Sequence, residues 1–164
     1  MRIAVIADTH LPRRARDLPP SAWQTVRSAD AVIHAGDVVA DSLLDRLEAE
    51  RPLHAVRGNN DTGLLRLLPE RLDLRLEGVE VGVVHDAGPT AGRRGRLRAL
   101  FPRARVVVYG HSHIPVVDDE GGLLLLNPGS PTDRRRMPFF TMAVLDITGS
   151  SVTARLVDLG LERA

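Results

Sequence analysis

Pairs of potential metal ligands occur at two places in this chain, each directly after a short apolar run. His111 and His113 stand two residues apart, and Asp8 and His10 repeat that spacing near the N-terminus. Gly110 frees the backbone to turn just before the first imidazole, so that both rings of that pair can be aimed at one point. Either pair alone is weak evidence, because this spacing occurs by chance on many strands and loops.

Three more apolar runs end in side chains of the same kind, namely Asp37, Asn59 and His85. Because the loops beyond the carboxyl ends of strands meet at one crevice in open α/β sheets, all these groups can converge. Seven donors are too many for one tetrahedral ion. Two ions about 3.5 to 4 Å apart, bridged by one carboxylate, would use them all and would clamp the attacking and leaving oxygens of a phosphoryl displacement.

The composition limits which metals and which compartments are possible. The chain has no Cys, which removes disulfides and thiolate metal sites together and leaves nitrogen and oxygen ligands. It has no apolar stretch of about 18 residues, and its N-terminus becomes acidic at Asp8, too early for a signal peptide. We therefore expect a cytoplasmic protein that does not enter a membrane. At 164 residues we expect one domain, residues 1–164, that buries roughly 70% of its unfolded surface.

All 22 basic residues are Arg, and they cluster at residues 13–16, 93–98 and 134–136. Arg binds phosphate oxygens bidentately, so these clusters could steer an anionic substrate, although each is also compatible with ordinary surface charge. Aromatic residues make up only 3% of the chain, which leaves few platforms for stacking single-stranded bases. Any nucleic-acid partner would therefore be a substrate rather than a bound ligand, and the oligomeric state stays open.

The first half of the sequence alternates strands with helices. Buried strands are expected at residues 3–7, 31–33 and 53–56. The capping-box pattern from Ser21 to Gln24 predicts a helix that ends near Ser28, and a second helix is expected from Asp41. Three strands alternating with two helices indicate a largely parallel sheet covered by helices.

The second half is richer in antiparallel pairs. Residues 72–76 and 79–84 read as a hairpin, and residues 139–145 and 152–157 as a final antiparallel pair. A basic helix is expected at residues 91–100. The predicted fold class is α/β (α+β), with two sheets packed face to face as a sandwich and helices outside.

The ordered motif set resembles the calcineurin-like metallophosphoesterase family. The resemblance is carried by Asp8-x-His10, Gly36-Asp37, Gly58-Asn59, His85 and Gly110-His111-Ser112-His113. The short chain and the sequence Asn127-Pro128-Gly129-Ser130 resemble its small bacterial and archaeal phosphodiesterase branch. The resemblance implies the αββα fold and a metal-dependent phosphodiesterase in which a hydroxide bridging two metal ions attacks phosphorus.

The resemblance also implies roles for single residues. Asp37 would bridge two divalent ions, most often Mn²⁺ in this branch, although the same donors can hold iron, zinc, nickel or cobalt. Asp8, His10 and His113 would bind the first ion, and Asn59, His85 and His111 the second.

Two positions depart from the family pattern. Many larger members have His after the Gly-Asn pair, where this chain has Asn60, and Gly after the middle histidine, where it has Asp86. Asn60 is the predicted catalytic and substrate-binding residue, because an amide can hydrogen-bond to a phosphoryl oxygen. It cannot deliver a proton at neutral pH, so we expect either a requirement for good leaving groups or water as the acid. Arg93, Arg94 and Arg134 are further candidates for substrate contact.

Other interpretations remain open at this stage. The same fold serves as a noncatalytic protein-binding scaffold in the retromer-subunit relatives of the family, and a phosphomonoesterase or a nuclease would use the same ligands. His34 and His54 lie near strand ends outside the motifs and are interpreted as structural or supporting residues. Asp61 is interpreted as a loop cap rather than a ligand.

Overall fold

Two five-stranded sheets form the centre of the computed structural model, which describes residues 1–64 and 66–161. The first sheet combines strands from both ends of the chain, and the second comes from its middle. The elements are β1 (Arg2–Ile6), α1 (Pro20–Arg27), β2 (Ala31–His34), α2 (Asp41–Glu50), β3 (Leu53–Ala55), β4 (Arg71–Leu76), β5 (Val79–Val84), α3 (Arg93–Leu100), β6 (Val106–Val108), β7 (Val116–Glu120), β8 (Leu123–Asn127), β9 (Thr141–Thr148) and β10 (Ser151–Asp158).

Each sheet contains three adjacent parallel strands that are extended by antiparallel ones. The first has the order β10-β9-β1-β2-β3, in which β1, β2 and β3 are parallel. The second has the order β4-β5-β6-β8-β7, in which β5, β6 and β8 are parallel. The hairpin of β4 with β5 and the final pair of β9 with β10 are therefore confirmed. The predicted parallel sheet is confirmed for β1, β2 and β3, but β3 is followed by the strand β4 rather than by a third helix, and β9 and β10 extend this sheet antiparallel. The loops after the parallel strands carry the ligand-type residues.

The apolar side chains divide into three layers. Ile3 and Val5 of β1 point into the space between the sheets, where they meet Val81 and Val106 of the second sheet. The alternate residues of β1 face outward and pack under α1 and α2. On the opposite side, α3 covers the second sheet. The architecture is a β-sandwich flanked by helices, as the sequence predicted.

The capping-box prediction for α1 is wrong. The helix begins two residues earlier, at Pro20, with Pro19 rather than Ser21 as N-cap and no side-chain cap hydrogen bond. Proline is suited to this first turn because its missing N–H would have no partner inside the helix. The helix α3 begins two residues later than predicted, after Gly92, whose φ is +70°. No helix in residues 1–64 and 66–161 is long and apolar enough to cross a membrane.

Gly82 and Gly95 should respond to alanine in opposite directions. A Cβ at Gly82 on β5 would lie 2.5 Å from the ring of buried Phe101, whereas one at Gly95 in α3 would have nothing within 4 Å. We expect Gly82→Ala to lower the free energy of unfolding by about 1 to 3 kcal/mol through overpacking. Gly95→Ala should raise it by about 0.5 to 1 kcal/mol, because glycine is unfavourable inside helices. Urea denaturation of both variants checks this, and shifts of the same sign would contradict it.

Candidate metal centre

The loops that carry the ligand-type side chains have left-handed backbones at the ligand positions themselves. The φ values are +55° at Asp8, +47° at His10, +58° at Asp37, +68° at His111 and +59° at His113. Each such position costs on the order of 1 kcal/mol or more and persists only when the surroundings enforce it. In each pair of ligand-type residues that are two apart, both backbones are left-handed, and the resulting bend turns both side chains toward the cluster. The orientation of the side chains therefore costs backbone strain.

Asp8, His10 and His113 form a first buried group. Their potential ligand atoms lie within 4.8 Å of one another. The Nε2 atoms of His10 and His113 are 3.2 Å apart, and His113 Nε2 lies 3.6 Å from Asp8 Oδ1. The two rings stack with their centroids 5.2 Å apart. The two pairs of the sequence, separated by about a hundred residues, therefore meet.

Asp37 connects this group to a second one. Its Oδ2 lies 3.7 Å from His10 Nε2 and 3.4 Å from His85 Nε2. Asn59 Oδ1 is 3.1 Å from His85 Nε2 and 2.9 Å from His111 Nδ1. All seven ligand-type residues identified in the sequence thus lie in one connected cluster, with Asp37 between its two halves.

The donor set fits divalent cations. His85 Nδ1 donates to the Ala35 carbonyl at 2.8 Å and His113 Nδ1 donates to the Asp133 carbonyl, so in its neutral form each ring presents the Nε2 lone pair to the cluster. Asp8 Oδ2 is buried without a hydrogen-bond partner among the described residues. Two nitrogens bound to one ion at about 2.1 Å would lie about 3.0 to 3.4 Å apart, which matches the separation of the paired imidazoles.

Burial shifts the pKa values of the cluster in ways that a cation would offset. Desolvation raises the pKa of Asp8 to about 7, and it lowers the pKa of His113 to about 4. For Asp37, burial opposes ionisation, but hydrogen bonds with His85 and Asn60 outweigh it and hold the pKa below its usual range. Neutral imidazoles and an ionised Asp37 are the forms that coordinate metal. Metal binding would release the proton that burial favours on Asp8.

Asp61 ties two of the ligand loops together. Its Oδ2 accepts hydrogen bonds from the N–H groups of Asp37 at 2.9 Å and Gly58 at 2.8 Å, and its Oδ1 accepts from Val39 at 2.7 Å. The loop-cap interpretation is confirmed. The carboxylate holds the backbone on either side of Asp37, although the sequence signal for it is only an acidic residue after Gly58-Asn59-Asn60.

The segment from Asn127 to Asp133, which sequence reasoning largely missed, holds the loops that carry the two ligand pairs. Asn127 Nδ2 donates to the Gly110 carbonyl at 2.9 Å, and Ser130 Oγ donates to the Asp8 carbonyl at 2.8 Å. Thr132 Oγ1 donates to the Thr9 carbonyl. The turn from Asn127 to Ser130 was the available signal. No sequence signal marks the contacts of Thr132 and of the Asp133 carbonyl, because neither residue belongs to a motif.

The side chains that were predicted to contact the substrate form hydrogen bonds within the protein. Asn60 donates from its backbone N–H and its Nδ2 to Asp37, at 2.8 and 2.7 Å. The guanidinium of Arg93 donates to the Gly88 carbonyl at 3.0 Å and to the Tyr109 hydroxyl at 3.2 Å. Arg134 donates to the Met137 carbonyl. Substrate contact by Asn60 and Arg93 stays a prediction.

His34 is buried in its neutral form beneath the cluster. Its Nδ1 accepts from the Gly36 N–H at 3.2 Å, so its Nε2 carries the proton and donates to Thr9 Oγ1 at 3.1 Å. Burial lowers the pKa of His34 to about 3. This geometry agrees with its interpretation as a supporting residue.

His34 should make the protein acid-sensitive. An unfolded histidine has a pKa near 6.5, so the stabilisation is complete above about pH 6.5 and is lost at about 1.4 kcal/mol per pH unit as pH falls toward 3. In EDTA, the difference in unfolding free energy between the wild type and His34→Asn should shrink by about 2 kcal/mol from pH 7 to pH 5. Denaturant titrations check this, with partly exposed His54→Asn expected to change less. A pH-independent difference for His34→Asn would contradict it.

Comparison with known proteins shows the family of this chain by sequence and the same fold in solved structures. Residues 1–150 match the model of the calcineurin-like phosphoesterase superfamily domain. A probable metallophosphoesterase of Methanothermobacter thermautotrophicus is 34% identical over 98% of this chain and 94% of its own length. A zinc complex of Vps29 from Entamoeba histolytica superposes with a TM-score of 0.78 at 22% identity, covering 98% of this chain and 100% of that one. A structure described as a novel archaeal phosphodiesterase gives 0.71 at 19% identity, covering 96% and 100%.

Proposed function

This chain belongs to the calcineurin-like phosphoesterase superfamily, and on that premise we propose that it is a phosphodiesterase that hydrolyses a small phosphodiester. The observation that carries the proposal is the convergence of seven nitrogen and oxygen donors from five loops of both sheets. A chain that served only as a scaffold would have no use for buried, lone-pair-presenting imidazoles. Their presence therefore favours hydrolysis over the scaffold function.

The cluster divides into two proposed metal positions that share Asp37. When bound, two divalent ions would polarise the phosphoryl oxygens and lower the pKa of water toward neutrality. We propose Mn²⁺ for both, although iron, zinc, nickel or cobalt would accept the same donors. Asp8, His10 and His113 would hold the first ion, and Asn59, His85 and His111 the second.

Hydrogen bonds within the chain fix the orientation of the side chains around this proposed centre. The carbonyls of Ala35 and Asp133 fix the rings of His85 and His113 and keep their Nε2 atoms aimed inward. Asn60 holds both carboxylate oxygens of Asp37. In the proposed reaction a water oxygen bonds to phosphorus as the ester P–O bond breaks, and a proton passes to the departing oxygen.

An open cavity of about 290 Å³ adjoins the second proposed metal position, where it is lined by Asn59, His85 and His111. Its outer wall carries Asp86 and the ion pair of Arg57 with Glu70, whose charged atoms are 2.7 Å apart. The charges of these three outer residues sum to a negative value. The cavity therefore favours an uncharged ester substituent over a second phosphate, which supports a simple diester.

Asn60 bears on which leaving groups the enzyme accepts. An amide cannot protonate a departing alkoxide, so the rate should depend steeply on the pKa of the leaving group. Asn60→His should flatten that dependence across a series of aryl phosphodiesters assayed with Mn²⁺. An unchanged slope would count against this role for position 60.

The proposal is tested with protein stripped by chelator and reloaded with single metals. The metal-loaded protein should cleave bis(4-nitrophenyl) phosphate, and the stripped protein should not. Comparing rates on 4-nitrophenyl phosphate and an oligonucleotide separates the diesterase from a monoesterase and a nuclease. Absence of bound metal, together with no rate on any of these substrates with any added divalent ion, would favour the scaffold.

A further inference from the structure

An ion pair between the two sheets forms part of the wall of the cavity beside the second proposed metal position. Arg57 Nη2 lies 2.7 Å from Glu70 Oε1, and both residues line the cavity together with Asn59, His85 and His111. Arg57 follows β3 of the first sheet, and Glu70 directly precedes β4 of the second. The pair therefore joins the two sheets at the end where the ligand-type residues lie.

Backbone hydrogen bonds hold both members of this ion pair beside the cavity. The N–H of Arg57 donates to the Pro69 carbonyl at 2.8 Å, which keeps the backbone of Arg57 next to that of Glu70. In the antiparallel register of β4 with β5, the first residue of β4 pairs with Val84, so Glu70 lies level with His85. The backbone positions of both charged residues therefore do not depend on the ion pair.

Arg57 carries the only guanidinium among the described residues that line this cavity. Its only side-chain hydrogen bond within residues 1–64 and 66–161 goes to Glu70. The side chains of Arg57 and Glu70 are 51% and 82% exposed, and an exposed ion pair contributes no more than about 1 kcal/mol. Since a guanidinium binds two phosphate oxygens at once, Arg57 without its partner could bind a phosphate at this wall of the cavity.

The charge balance of the cavity wall depends on Glu70. Asp86, which also lines the cavity, accepts from the Gly88 N–H at 2.7 Å and has no ion pair in the described part of the chain. With Glu70 present, Arg57 is neutralised and the charge of Asp86 remains. Without the charge of Glu70, Arg57 and Asp86 would balance, and the guanidinium would be free. A single carboxylate therefore decides whether a phosphate finds a cation here.

We propose that Glu70 is a specificity-determining residue that holds Arg57 and thereby excludes substrates with a second phosphate, an inference that rests on the phosphodiesterase function proposed above. The substrate is then a phosphodiester whose substituents carry no further phosphate. A substituent with its own phosphate is disfavoured because it meets a neutralised guanidinium and the carboxylates of Glu70 and Asp86. Neutralising Glu70 alone releases Arg57 and admits such substrates.

Two substrates that differ by one phosphate test the proposal, namely thymidine 5′-(4-nitrophenyl phosphate) and its 3′-phosphate. Both release 4-nitrophenol when a water oxygen bonds to the diester phosphorus, so the ratio of their kcat/KM values reports only the extra phosphate. The full chain is loaded with Mn²⁺ and assayed as wild type, Glu70→Gln, Arg57→Gln and the double variant. Asp73→Asn is the matched control, because it neutralises another exposed carboxylate, on β4.

For Glu70→Gln we expect the ratio to shift about three- to tenfold in favour of the 3′-phosphate, through KM rather than kcat. The double variant should lose this gain, and Arg57→Gln and Asp73→Asn should not exceed the wild-type ratio by more than about twofold. Calorimetry with thymidine 5′-phosphate and thymidine 3′,5′-bisphosphate should show the same shift in binding. Partial unfolding or loss of metal would lower both rates without changing their ratio.

Failure of this inference and failure of the proposed function give different results. If the wild-type protein cleaves both compounds but Glu70→Gln keeps the ratio of Asp73→Asn, or the double variant keeps the full gain, the role of Glu70 is overturned and the phosphodiesterase function stands. A wild-type preference for the 3′-phosphate would also overturn it. If the wild-type protein hydrolyses no diester with any divalent ion, the function itself fails, and the inference about Glu70 fails with it.

Discussion

Asp37→Ala should reduce phosphodiester hydrolysis by about a thousandfold or more, because metal ions supply several kcal/mol and each 1.4 kcal/mol is a factor of ten. Asp37 Oδ2 lies within 3.7 Å of His10 Nε2 and 3.4 Å of His85 Nε2, so its removal takes a carboxylate from both halves of the cluster. Both N–H groups that Asn60 directs at Asp37 would also lose their acceptor. Metal content should therefore fall together with activity.

The measurement combines steady-state rates with elemental analysis of the purified variant. Asp73→Ala is a suitable control, because Asp73 is an exposed carboxylate on β4 that pairs only loosely with Arg71, at 3.7 Å. The control should retain the metal and rate of the wild type. Equal rates for Asp37→Ala and wild type at equal metal content would remove Asp37 from the centre.

The ligand-type residues could be found from sequence because each one follows a readable apolar run. His85 follows the alternating strand β5, and His111 follows the valine run of β6, so position relative to a strand end was enough. Parallel pairing places the ligand-bearing ends of the strands at one edge of each sheet, and the two sheets stack so that Asp8 of the first meets His113 of the second. The sandwich was predictable for the same reason, since period-two and period-3.6 patterns mark strands and helices.

The features that could not be predicted from the sequence depend on backbone groups and backbone conformation. The Asp133 carbonyl orients His113, and any residue at position 133 would offer that carbonyl. Left-handed φ at Asp37 or Val39 leaves no trace in residue type, because these positions hold ordinary side chains rather than glycine. The three arginine clusters could not be told apart by their sequence alone. Only the tertiary contacts separate Arg93, which braces Tyr109, from Arg135, which has no such partner among the described residues.

Asp61→Ala should be strongly destabilising, although Asp61 lies outside the ligand set. Its carboxylate accepts three N–H groups, and those of Asp37 and Gly58 are buried. Each buried donor left without a partner costs about 1 to 3 kcal/mol. The third, from Val39, holds a β-branched residue at a φ of +78°, which is rarely tolerated without such support. A loss of about 3 to 5 kcal/mol is expected, a large part of the 5 to 15 kcal/mol typical of a domain.

Asp61→Asn separates the hydrogen bonds from the charge. One amide oxygen can still accept from Asp37 and Gly58, while the NH₂ group would face the Val39 N–H, so we expect roughly half the loss. Asp45→Ala, which removes an exposed ion pair with Arg66, should change stability by less than about 1 kcal/mol. Urea denaturation in EDTA gives all three values. If Asp61→Ala proved no worse than Asp45→Ala, the loops around Asp37 would have to be held by something other than this carboxylate.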